Sequence, residues 1–410
     1  MCAGFCISEY TGSAESNSRG RENHIFDKNK TDTVRKKYKL PEDAFLLHYD
    51  ALVADTHNDF LEKVFSHKAR FGSEDSFTQS GLPRLLKGGV KVQFFACWIP
   101  ETQFDVSKEY VLQEIEILKS FEKEEQDKFA IATTADDIGK INSEGKIAGM
   151  IGIEGGTALE GNIDNIDLFY SKDVRYITLT WNNSNDIGSS AKDEEKGKGN
   201  GLTDFGKKVV RRMNEVGMLV DVSHLGEKSF WDVVSISDKP ILASHSCCSA
   251  INPIPRNLTD EQIKAIAKSG GVIMINFYSS FLKKDAPKKF QTADKIYAKE
   301  LKEIYDKYGS DKIKYNEERY KFLQSHKPKG NIATLDDVIG NIEHVINLAG
   351  VDYVGIGSDF DGGINPPFDL YDATCYPFIT MKLAEKGYRE SDIRKILGLN
   401  LMRILNPIQK

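Results

Sequence analysis

The sequence predicts an α/β fold and, within that class, a (β/α)8 TIM-type barrel. Eight apolar runs rich in β-branched residues recur along the chain, and most are continuously hydrophobic, which is typical of parallel strands buried on both faces. Amphipathic stretches with helical spacing separate these runs. Eight β–α units within roughly 350 residues fit a barrel. A doubly wound open sheet is the alternative, but no G-x-G-x-x-G motif follows the first run.

The predicted strands and helices alternate in chain order. Pro41 to Asp50 is predicted as a short helix before the first strand, because proline is favourable at a helix start. Thr203 and Thr259 are predicted N-caps, each followed by an aspartate that suits the first helical turn. The eight predicted strands are Ala51–Asp55, Val90–Cys97, Ile147–Ile153, Val174–Thr180, Met218–Ser223, Pro240–Ser244, Gly271–Asn276 and Tyr353–Ser358.

Composition excludes several classes of protein. The 410 residues are 40% hydrophobic and 28% charged, as expected of a globular chain with a large core. The net charge of -6 with mixed signs argues against a nucleic-acid partner. No apolar stretch approaches the roughly 18 residues of a membrane span. Six cysteines without a C-x-x-C pair are too few for a disulfide scaffold at this length.

Three regions are expected from the composition along the chain. Residues 1–40 are predicted as a flexible polar and charged extension, and residues 41–407 as the catalytic barrel. Residues 282–330 form a Lys-, Glu- and Tyr-rich helical insertion between the seventh and eighth strands, with three interpretations open: a lid, an oligomer contact or a solvated decoration. The start lacks a signal peptide, so the chain as given is expected to be cytoplasmic; export or a lipid anchor at Cys2 is the alternative.

Side chains of metal-binding types end or follow five of the predicted strands. In an extended strand, residues i and i+2 share a face, so His57 and Asp59 are expected to bind one cation together. A barrel brings all strand C-termini to one mouth, where the active sites of this fold lie. The sequence therefore predicts a hydrolytic metal site there. The candidate residues are His57, Asp59, Glu154, His224, His245 and Asp359.

The number of ligands favours a dinuclear site. One zinc ion with three protein ligands and a water would leave two of the first five side chains unused. If Glu154 bridges two ions, one metal has His57, Asp59 and Glu154, and the other has Glu154, His224 and His245. A shared water or hydroxide would complete each coordination sphere. Zinc is the expected metal, with manganese or cobalt as alternatives.

Several motifs in order resemble the membrane (renal) dipeptidase family, the M19 metallopeptidases among the amidohydrolase-like barrels. The resemblance covers residues 41 to 407. Its motifs are D-T-H-N-D at 55–59, I-E-G-G at 153–156, R-Y-I-T-L-T at 175–180, D-V-S-H at 221–224, A-S-H-S at 243–246, P-R-N-L-T-D at 255–260, I-N-F-Y at 275–278 and G-S-D-F-D-G at 357–362.

The resemblance implies roles for further residues. It implies a dinuclear zinc barrel bridged by Glu154, with Asp359 as the proton-transfer group, Arg256 bound to the substrate carboxylate and Tyr278 lining the pocket. Arginine suits bidentate capture of a carboxylate. One position departs from the mammalian members, which carry a histidine where this chain has Trp181. Because indole is only an N–H donor, substrate preference and transition-state stabilisation are expected to differ there.

These inferences lead to a zinc-dependent dipeptidase, and the resemblance suggests L-Xaa-D-Xaa dipeptides among its substrates. A metal-bridging hydroxide is expected to attack the peptide carbonyl while Asp359 carries the proton to the leaving amine. Two alternatives remain at this stage: hydrolysis of another small amide or lactone on the same barrel, and a non-catalytic binding module. The expected partners are small dipeptides, and the resemblance also suggests a homodimer.

Overall fold

A parallel sheet of nine strands forms the centre of the protein. The structure, a computed structural model, describes residues 41–406. The predicted extension, residues 1–40, and the last predicted barrel residue, 407, lie outside this range. The strands are β1 Val53–Asn58, β2 Val90–Trp98, β3 Phe129–Ile131, β4 Ile147–Glu154, β5 Val174–Thr178, β6 Leu219–Asp221, β7 Leu242–Ser246, β8 Val272–Ile275 and β9 Val354–Ile356.

Helices surround the sheet and connect its strands. The α-helices before β9 are Glu42–Asp50, Phe60–His67, Leu82–Lys87, Ser107–Glu124, Ala135–Ser143, Asp164–Ser171, Ala191–Glu195, Asp204–Val216, Glu227–Ile236, Asp260–Lys268, Ser279–Leu282, Ala293–Ile296, Ala298–Tyr308, Lys312–Ser325 and Leu335–Ala349. The α-helices after β9 are Tyr376–Glu385, Glu390–Arg394 and Asn400–Leu405, with a π-helical turn at Lys395–Leu399. Short 3-10 helices occupy Glu101–Val106, Gly156–Leu159, Val351–Tyr353 and Ala373–Cys375. No described helix is both long and apolar enough to cross a membrane.

The strand order confirms the predicted TIM-type barrel. Eight strands follow one another as β1-β2-β4-β5-β6-β7-β8-β9, all parallel. The barrel closes beyond the end of β9, where Asn58 bridges Phe360. There the Asp59 amide donates to the Phe360 carbonyl (2.8 Å) and the Asp359 amide to the His57 carbonyl (3.0 Å). Closure of the barrel therefore brings two predicted site segments together.

The strand β3 is absent from the sequence prediction. It lies beside the first half of β4, with Phe129 to Ile131 opposite Ile147 to Gly149. From Ile151 onward, β4 pairs along the same edge with β5 instead. Three residues that follow a long amphipathic helix give too short an apolar run for a periodic signal.

The predicted helix starts agree with the structure. Thr203 accepts a hydrogen bond from the Gly206 amide, and Thr259 forms a capping box with Gln262. The first helix starts at Glu42, directly after Pro41. Such caps satisfy the amide groups that a helix start leaves without partners.

The insertion packs on the flank of the barrel. Its helix Lys312–Ser325 buries Arg319, which donates to Thr374 Oγ1 (2.8 Å) and lies over the Phe378 ring (4.9 Å). Asn316 of the same helix donates to Tyr49 (2.9 Å). Two cavities, of about 370 and 270 Å³, adjoin the predicted site, and no described residue of 282–330 lines either of them. This packing therefore does not support the lid interpretation. The division of the chain into extension, barrel and insertion stays a prediction.

Candidate metal centre and active site

The first strand delivers two of the predicted ligands, although not with the predicted geometry. His57 lies within β1, but the strand ends at Asn58. Asp59 is the N-cap position of the helix Phe60–His67. The expected shared strand face is therefore wrong for Asp59, whose backbone is no longer extended (φ -111°, ψ 36°). The turn into the helix nevertheless leaves His57 Nε2 3.7 Å from Asp59 Oδ2.

Glu154 lies between the three predicted histidines. It is the last residue of β4 and is buried. Its Oε1 lies 3.0 Å from His224 Nε2 and 3.3 Å from His245 Nε2, and its Oε2 lies 3.6 Å from His57 Nε2. One carboxylate oxygen thus faces two imidazoles and the other oxygen faces the third, which is the arrangement expected of a bridging carboxylate.

The histidines are close to one another. The Nε2 atoms of His224 and His245 are 3.0 Å apart, and the rings of His57 and His245 stack with centroids 3.7 Å apart. His224 has φ 64°, in the left-handed region. A non-glycine residue there is uncommon and costs about 1 kcal/mol or more, a form of strain that clusters at functional sites.

The partner of His57 Nδ1 determines which ring nitrogen of His57 carries the proton. Tyr176 Oη lies 2.9 Å from His57 Nδ1 and donates to the Thr56 carbonyl (3.3 Å). Because the phenol donates elsewhere, it accepts a hydrogen bond from His57 Nδ1–H. The Nε2 lone pair of His57 is then free, and this buried atom has no hydrogen-bond partner among the described residues.

A carboxylate orients the second histidine through a hydroxyl. Ser244 Oγ donates to Asp221 Oδ2 (2.6 Å) and lies 2.7 Å from His245 Nδ1. The serine oxygen therefore accepts from His245 Nδ1–H, and His245 Nε2 carries a lone pair. Such carboxylate–histidine chains are common behind metal ligands. The sequence reasoning missed Asp221 and Tyr176 because each lies one layer behind a ligand.

The third histidine has a similar partner. His224 Nδ1 lies 3.2 Å from Asn182 Oδ1. An amide oxygen only accepts, so His224 Nδ1 donates and its Nε2 also carries a lone pair. Three imidazole lone pairs and a carboxylate thus point into one small volume, where they repel one another unless a cation lies between them. The donor set fits metal ions of the borderline class, such as zinc.

The electrostatics of the cluster agree with this geometry. Burial lowers the pKa of His224 to about 4 and lowers the pKa of His245 well below its ordinary value. Burial also opposes a charge on His57, but the surrounding carboxylates, Glu154 foremost and then Asp359 and Asp221, together outweigh it and raise the pKa of His57. Burial resists ionisation of Glu154, yet the imidazoles, His57 foremost, hold the pKa of Glu154 well below its ordinary value. The carboxylates of the cluster thus favour a positive charge at its centre, and a cation bound between the imidazole lone pairs would supply it.

Asp359 lies beside the predicted metal ligands. One carboxylate oxygen of Asp359, one of Asp59 and a ring nitrogen of His57 all lie within 4.8 Å of one another, as do ligand atoms of His57, Glu154 and His245. Asn276 Nδ2 donates to Asp359 Oδ2 (2.8 Å). Burial raises the pKa of Asp359 to about 6. The geometry alone therefore fits Asp359 both as a proton-transfer group and as a ligand.

A cavity of about 370 Å³ opens over this cluster. Glu154, His224 and Asp359 line it, together with two predicted substrate-binding residues, Trp181 and Tyr278. Trp98, at the end of β2, also lines the cavity. The sequence reasoning missed Trp98 because it considered only metal-type side chains at strand ends. The strand-end position was the available signal.

Arg256 lines a second, adjoining cavity of about 270 Å³. Its guanidinium donates to Ser246 Oγ (2.9 Å) and to the His245 carbonyl (2.7 Å). His224, Asn182 and Phe281 line both cavities. Arg256 is thus held directly beside the metal-type cluster, with further N–H groups left for a ligand.

Four of the other histidines lie away from the cluster. His48 is buried in the helix Glu42–Asp50, and His344 pairs with Asp260 (2.7 Å). His67 and His326 are exposed. Asp361, the second aspartate of the G-S-D-F-D-G motif, holds its loop by accepting hydrogen bonds from the Gln79 and Ser80 amides (2.7 and 2.9 Å). His24 lies outside the described residues.

Comparison with known proteins is consistent with this site. A family model described as membrane dipeptidase (peptidase family M19) matches residues 42–410. An uncharacterized dipeptidase of Schizosaccharomyces pombe is 29% identical over 374 residues, which is 86% of this chain and 80% of that protein. The dipeptidase tcpJ of Claviceps purpurea is 28% identical over 370 residues, 87% of this chain and 76% of that protein.

A solved structure shows the same similarity. A metallopeptidase from Rhodobacter sphaeroides, crystallised with a phosphinate mimic of the dipeptide L-Ala-D-Ala, has a TM-score of 0.71 and 26% identity to this chain. The match covers 87% of this chain and 99% of that protein.

Proposed function

The chain belongs to the membrane dipeptidase family, peptidase family M19, and on this premise we propose that it is a zinc-dependent dipeptidase with a dinuclear site. The family makes it a metallopeptidase that acts on dipeptides. The proposal adds the metal, the number of ions and the roles of individual residues. Its substrates are dipeptides with a free carboxylate, L-Xaa-D-Xaa dipeptides included, as the ligand of the Rhodobacter sphaeroides relative suggests.

One observation carries the proposal: three imidazole lone pairs converge on the two oxygens of Glu154. With Glu154 as a bridge, His57 and Asp59 would hold one ion, and His224 and His245 would hold the other. Two zinc ions in such a site supply a water of lowered pKa and a Lewis acid for the peptide carbonyl.

The remaining roles belong to side chains of the chain itself. Arg256 binds the substrate carboxylate through the N–H groups that Ser246 and the His245 carbonyl leave free. This contact orients the peptide bond over the cluster. Asp359 transfers the proton to the leaving amine, with its carboxylate held by Asn276. Tyr278 and Trp181 line the cavity that receives the substrate.

The test combines metal analysis with a dipeptide panel. We expect the purified chain, reconstituted with zinc, to hold about two equivalents of metal and to hydrolyse L,L- and L,D-dipeptides. His245→Ala is expected to lose metal and activity, whereas the same change at the exposed His326 is the matched control and should alter neither. A zinc-loaded protein that leaves every dipeptide intact would overturn the proposed substrate class, and one equivalent of metal would overturn the dinuclear site.

A further inference from the structure

Two tryptophans form one wall of the cavity over the metal-type cluster. Trp98 and Trp181 both line it, and their rings meet edge to face with centroids 5.1 Å apart. Trp98 is paired with Glu154 across the ends of β2 and β4. The Trp181 ring lies 6.4 Å from the His224 ring. This pair, here called the tryptophan wall, thus stands directly beside the reacting groups.

Three further apolar or aromatic side chains line the same cavity. Tyr278 and Phe281 meet edge to face with centroids 4.8 Å apart, and Ile364 is also part of the lining. Lys63, the cation in the lining, pairs with Glu62 (2.8 Å), which weakens its attraction for an acidic side chain. A cavity of about 370 Å³ with four aromatic side chains in its lining suits an apolar group.

The position of Arg256 decides which end of a dipeptide reaches this space. Arg256 lines the second cavity, whereas the tryptophan wall lines the first. A dipeptide whose carboxylate binds Arg256 has its peptide bond over the cluster. Its first residue then extends away from Arg256 into the first cavity.

We propose that the tryptophan wall binds the side chain of the first residue of the substrate, and that the protein prefers dipeptides beginning with an aromatic or large aliphatic residue. This inference rests on the proposed dipeptidase function and names the substrate class of that site. Trp98 and Trp181 are specificity-determining residues: they contact the side chain of the substrate and take no part in the transfer of protons.

The first experiment compares positional isomers. We expect kcat/KM for L-Phe-L-Ala to exceed that for L-Ala-L-Ala by a factor of about 10 to 200, the range typical of an apolar group in a fitted pocket. L-Ala-L-Phe carries its ring on the second residue, away from the tryptophan wall, so its kcat/KM should exceed that of L-Ala-L-Ala by much less. Equal values for the two isomers, or a preference for L-Ala-L-Phe, would overturn the proposal.

The second experiment measures how tryptophan variants change the ratio of kcat/KM for L-Phe-L-Ala to kcat/KM for L-Ala-L-Ala. Trp98→Ala should reduce the L-Phe-L-Ala to L-Ala-L-Ala ratio by about tenfold, mainly through KM, because it removes aromatic contact area. Trp98→Phe should restore most of the ratio, which a purely structural role would not predict. Trp231→Ala, at the exposed tryptophan of the helix Glu227–Ile236, is the matched control and should leave the ratio unchanged. An unchanged ratio in Trp98→Ala would contradict the proposal that the tryptophan wall binds the first side chain of the substrate.

A binding measurement avoids dependence on turnover. The chain has three tryptophans, so under excitation selective for tryptophan the Trp231→Phe protein emits from Trp98 and Trp181 alone. Titration of this zinc-loaded protein with a phosphinate mimic of L-Phe-L-Ala should change its emission strongly, and the mimic should bind more tightly than that of L-Ala-L-Ala. Binding without an emission change, or equal affinity for the two mimics, would contradict the inference.

The outcomes separate the two proposals. If no dipeptide is hydrolysed and neither mimic binds, the proposed function fails and the inference fails with it. If dipeptides are hydrolysed without a preference at the first position, the function stands and only the tryptophan wall is refuted.

Discussion

At the scale of single residues, the roles in the site depend on which atoms are left free by their neighbours. Tyr176 and Ser244 accept the Nδ1 protons of His57 and His245, and this leaves their Nε2 atoms to bind a cation. Asn182 does the same for His224. The proposed ligands are therefore already oriented by their neighbours, which would reduce the reorganisation that metal binding requires.

The first prediction concerns Asp359. Asp359→Asn keeps the shape and the partner Asn276 but removes the transferable proton. We expect activity on dipeptides to fall by about 10²–10⁴-fold, the usual contribution of a positioned acid–base group, while both metal ions stay bound. Metal analysis and steady-state kinetics check both parts. Loss of one metal equivalent would make Asp359 a ligand, a role that its distance to His57 and Asp59 also allows.

The same substitution at a distant site is the control for Asp359→Asn. Asp311 caps the helix Lys312–Ser325 of the insertion, and asparagine caps equally well. Asp311→Asn should therefore keep both metals and full activity. Near-native turnover in Asp359→Asn itself would show that the proton follows another route.

The second prediction concerns Arg256. Arg256→Ala should raise KM for a dipeptide by about 10- to 100-fold, because a hydrogen bond to a charged group contributes about 1.5–3 kcal/mol. The wild-type protein should discriminate against a dipeptide with an amidated C-terminus, and the variant should not. Arg389→Ala, at an exposed ion pair with Asp392, is the control. Equal discrimination in Arg256→Ala and the wild type would exclude carboxylate recognition by Arg256.

At the scale of elements, two strand irregularities orient two of the histidines. Between Asp55 and Asn58, β1 advances three residues while β2 advances two, from Gln93 to Phe95. The same shift occurs in β7, where Ala243 to Ser246 lie opposite Ile273 to Ile275. His57 and His245 lie inside these bulged segments. A bulge breaks the alternation of side chains and re-aims one of them, a common device next to active sites.

The third prediction concerns the helix Glu42–Asp50, which the buried His48 connects by hydrogen bonds to other parts of the fold. His48 Nε2 donates to the Gly88 carbonyl (2.7 Å), and its Nδ1 accepts from Thr380 (2.7 Å). Burial lowers the pKa of His48 to about 4. The unfolded chain binds a proton below pH 6.5 and the folded one only below about 4, so stability falls as the pH falls between these values, by about 3 kcal/mol in all.

Urea unfolding of the protein at pH 7.5 and pH 5 checks the His48 prediction. His48→Gln is expected to lower the free energy of unfolding at pH 7.5 but to reduce its loss toward pH 5. Both proteins are measured with a chelator present, because the proposed metal ligands also titrate. His326→Gln, at an exposed histidine, should retain the wild-type slope. An unchanged slope in His48→Gln would contradict the buried neutral imidazole.

At the scale of the whole molecule, the hydrogen bonds that close the barrel also bring the segments of the candidate site together. The hydrogen bonds that join the ends of the barrel come from the backbones of His57, Asp59, Asp359 and Phe360. These hydrogen bonds join β1 to the segment after β9, and this junction is here called the seam. Gly357 lies at the seam, and its amide donates to the Ile275 carbonyl (3.1 Å). Whatever moves the seam also moves Asp359 relative to the cluster.

The fourth prediction tests this seam. A Cβ at Gly357 would collide with the Ser244 carbonyl oxygen and lie 2.9 Å from Thr56 Oγ1. Gly357→Ala should therefore destabilise the protein by about 3 kcal/mol or more, and lower its zinc affinity as well. Gly340→Ala is the matched control: it lies within the helix Leu335–Ala349 with no atom near the added Cβ, and should stabilise by about 1 kcal/mol. Thermal unfolding and chelator competition measure both effects, and wild-type stability in Gly357→Ala would contradict the close packing.

The sequence by itself determined the fold class and the candidates for the site. Continuous apolar runs are typical of buried parallel strands, and a barrel gathers the ends of its strands at one mouth. Metal-type side chains at those ends could therefore be grouped although they are far apart in the chain. Glu154, His224 and His245 came from this reasoning, and the structure brings all three within 3.3 Å of one another.

Only the tertiary structure decided how these side chains meet. The bulges at His57 and His245 depend on pairing with neighbouring strands. The hydroxyl behind His57 comes from Tyr176 of another strand, and the Ser244 hydroxyl behind His245 is oriented by Asp221 of another strand. The tryptophan wall likewise joins two separate parts of the chain. A one-residue shift in register leaves no mark in local composition, since it is set by the pairing of two distant strands. The acceptor for a histidine proton is likewise chosen by packing. Such features arise from contacts across the barrel, and the order of residues along the chain does not encode them locally.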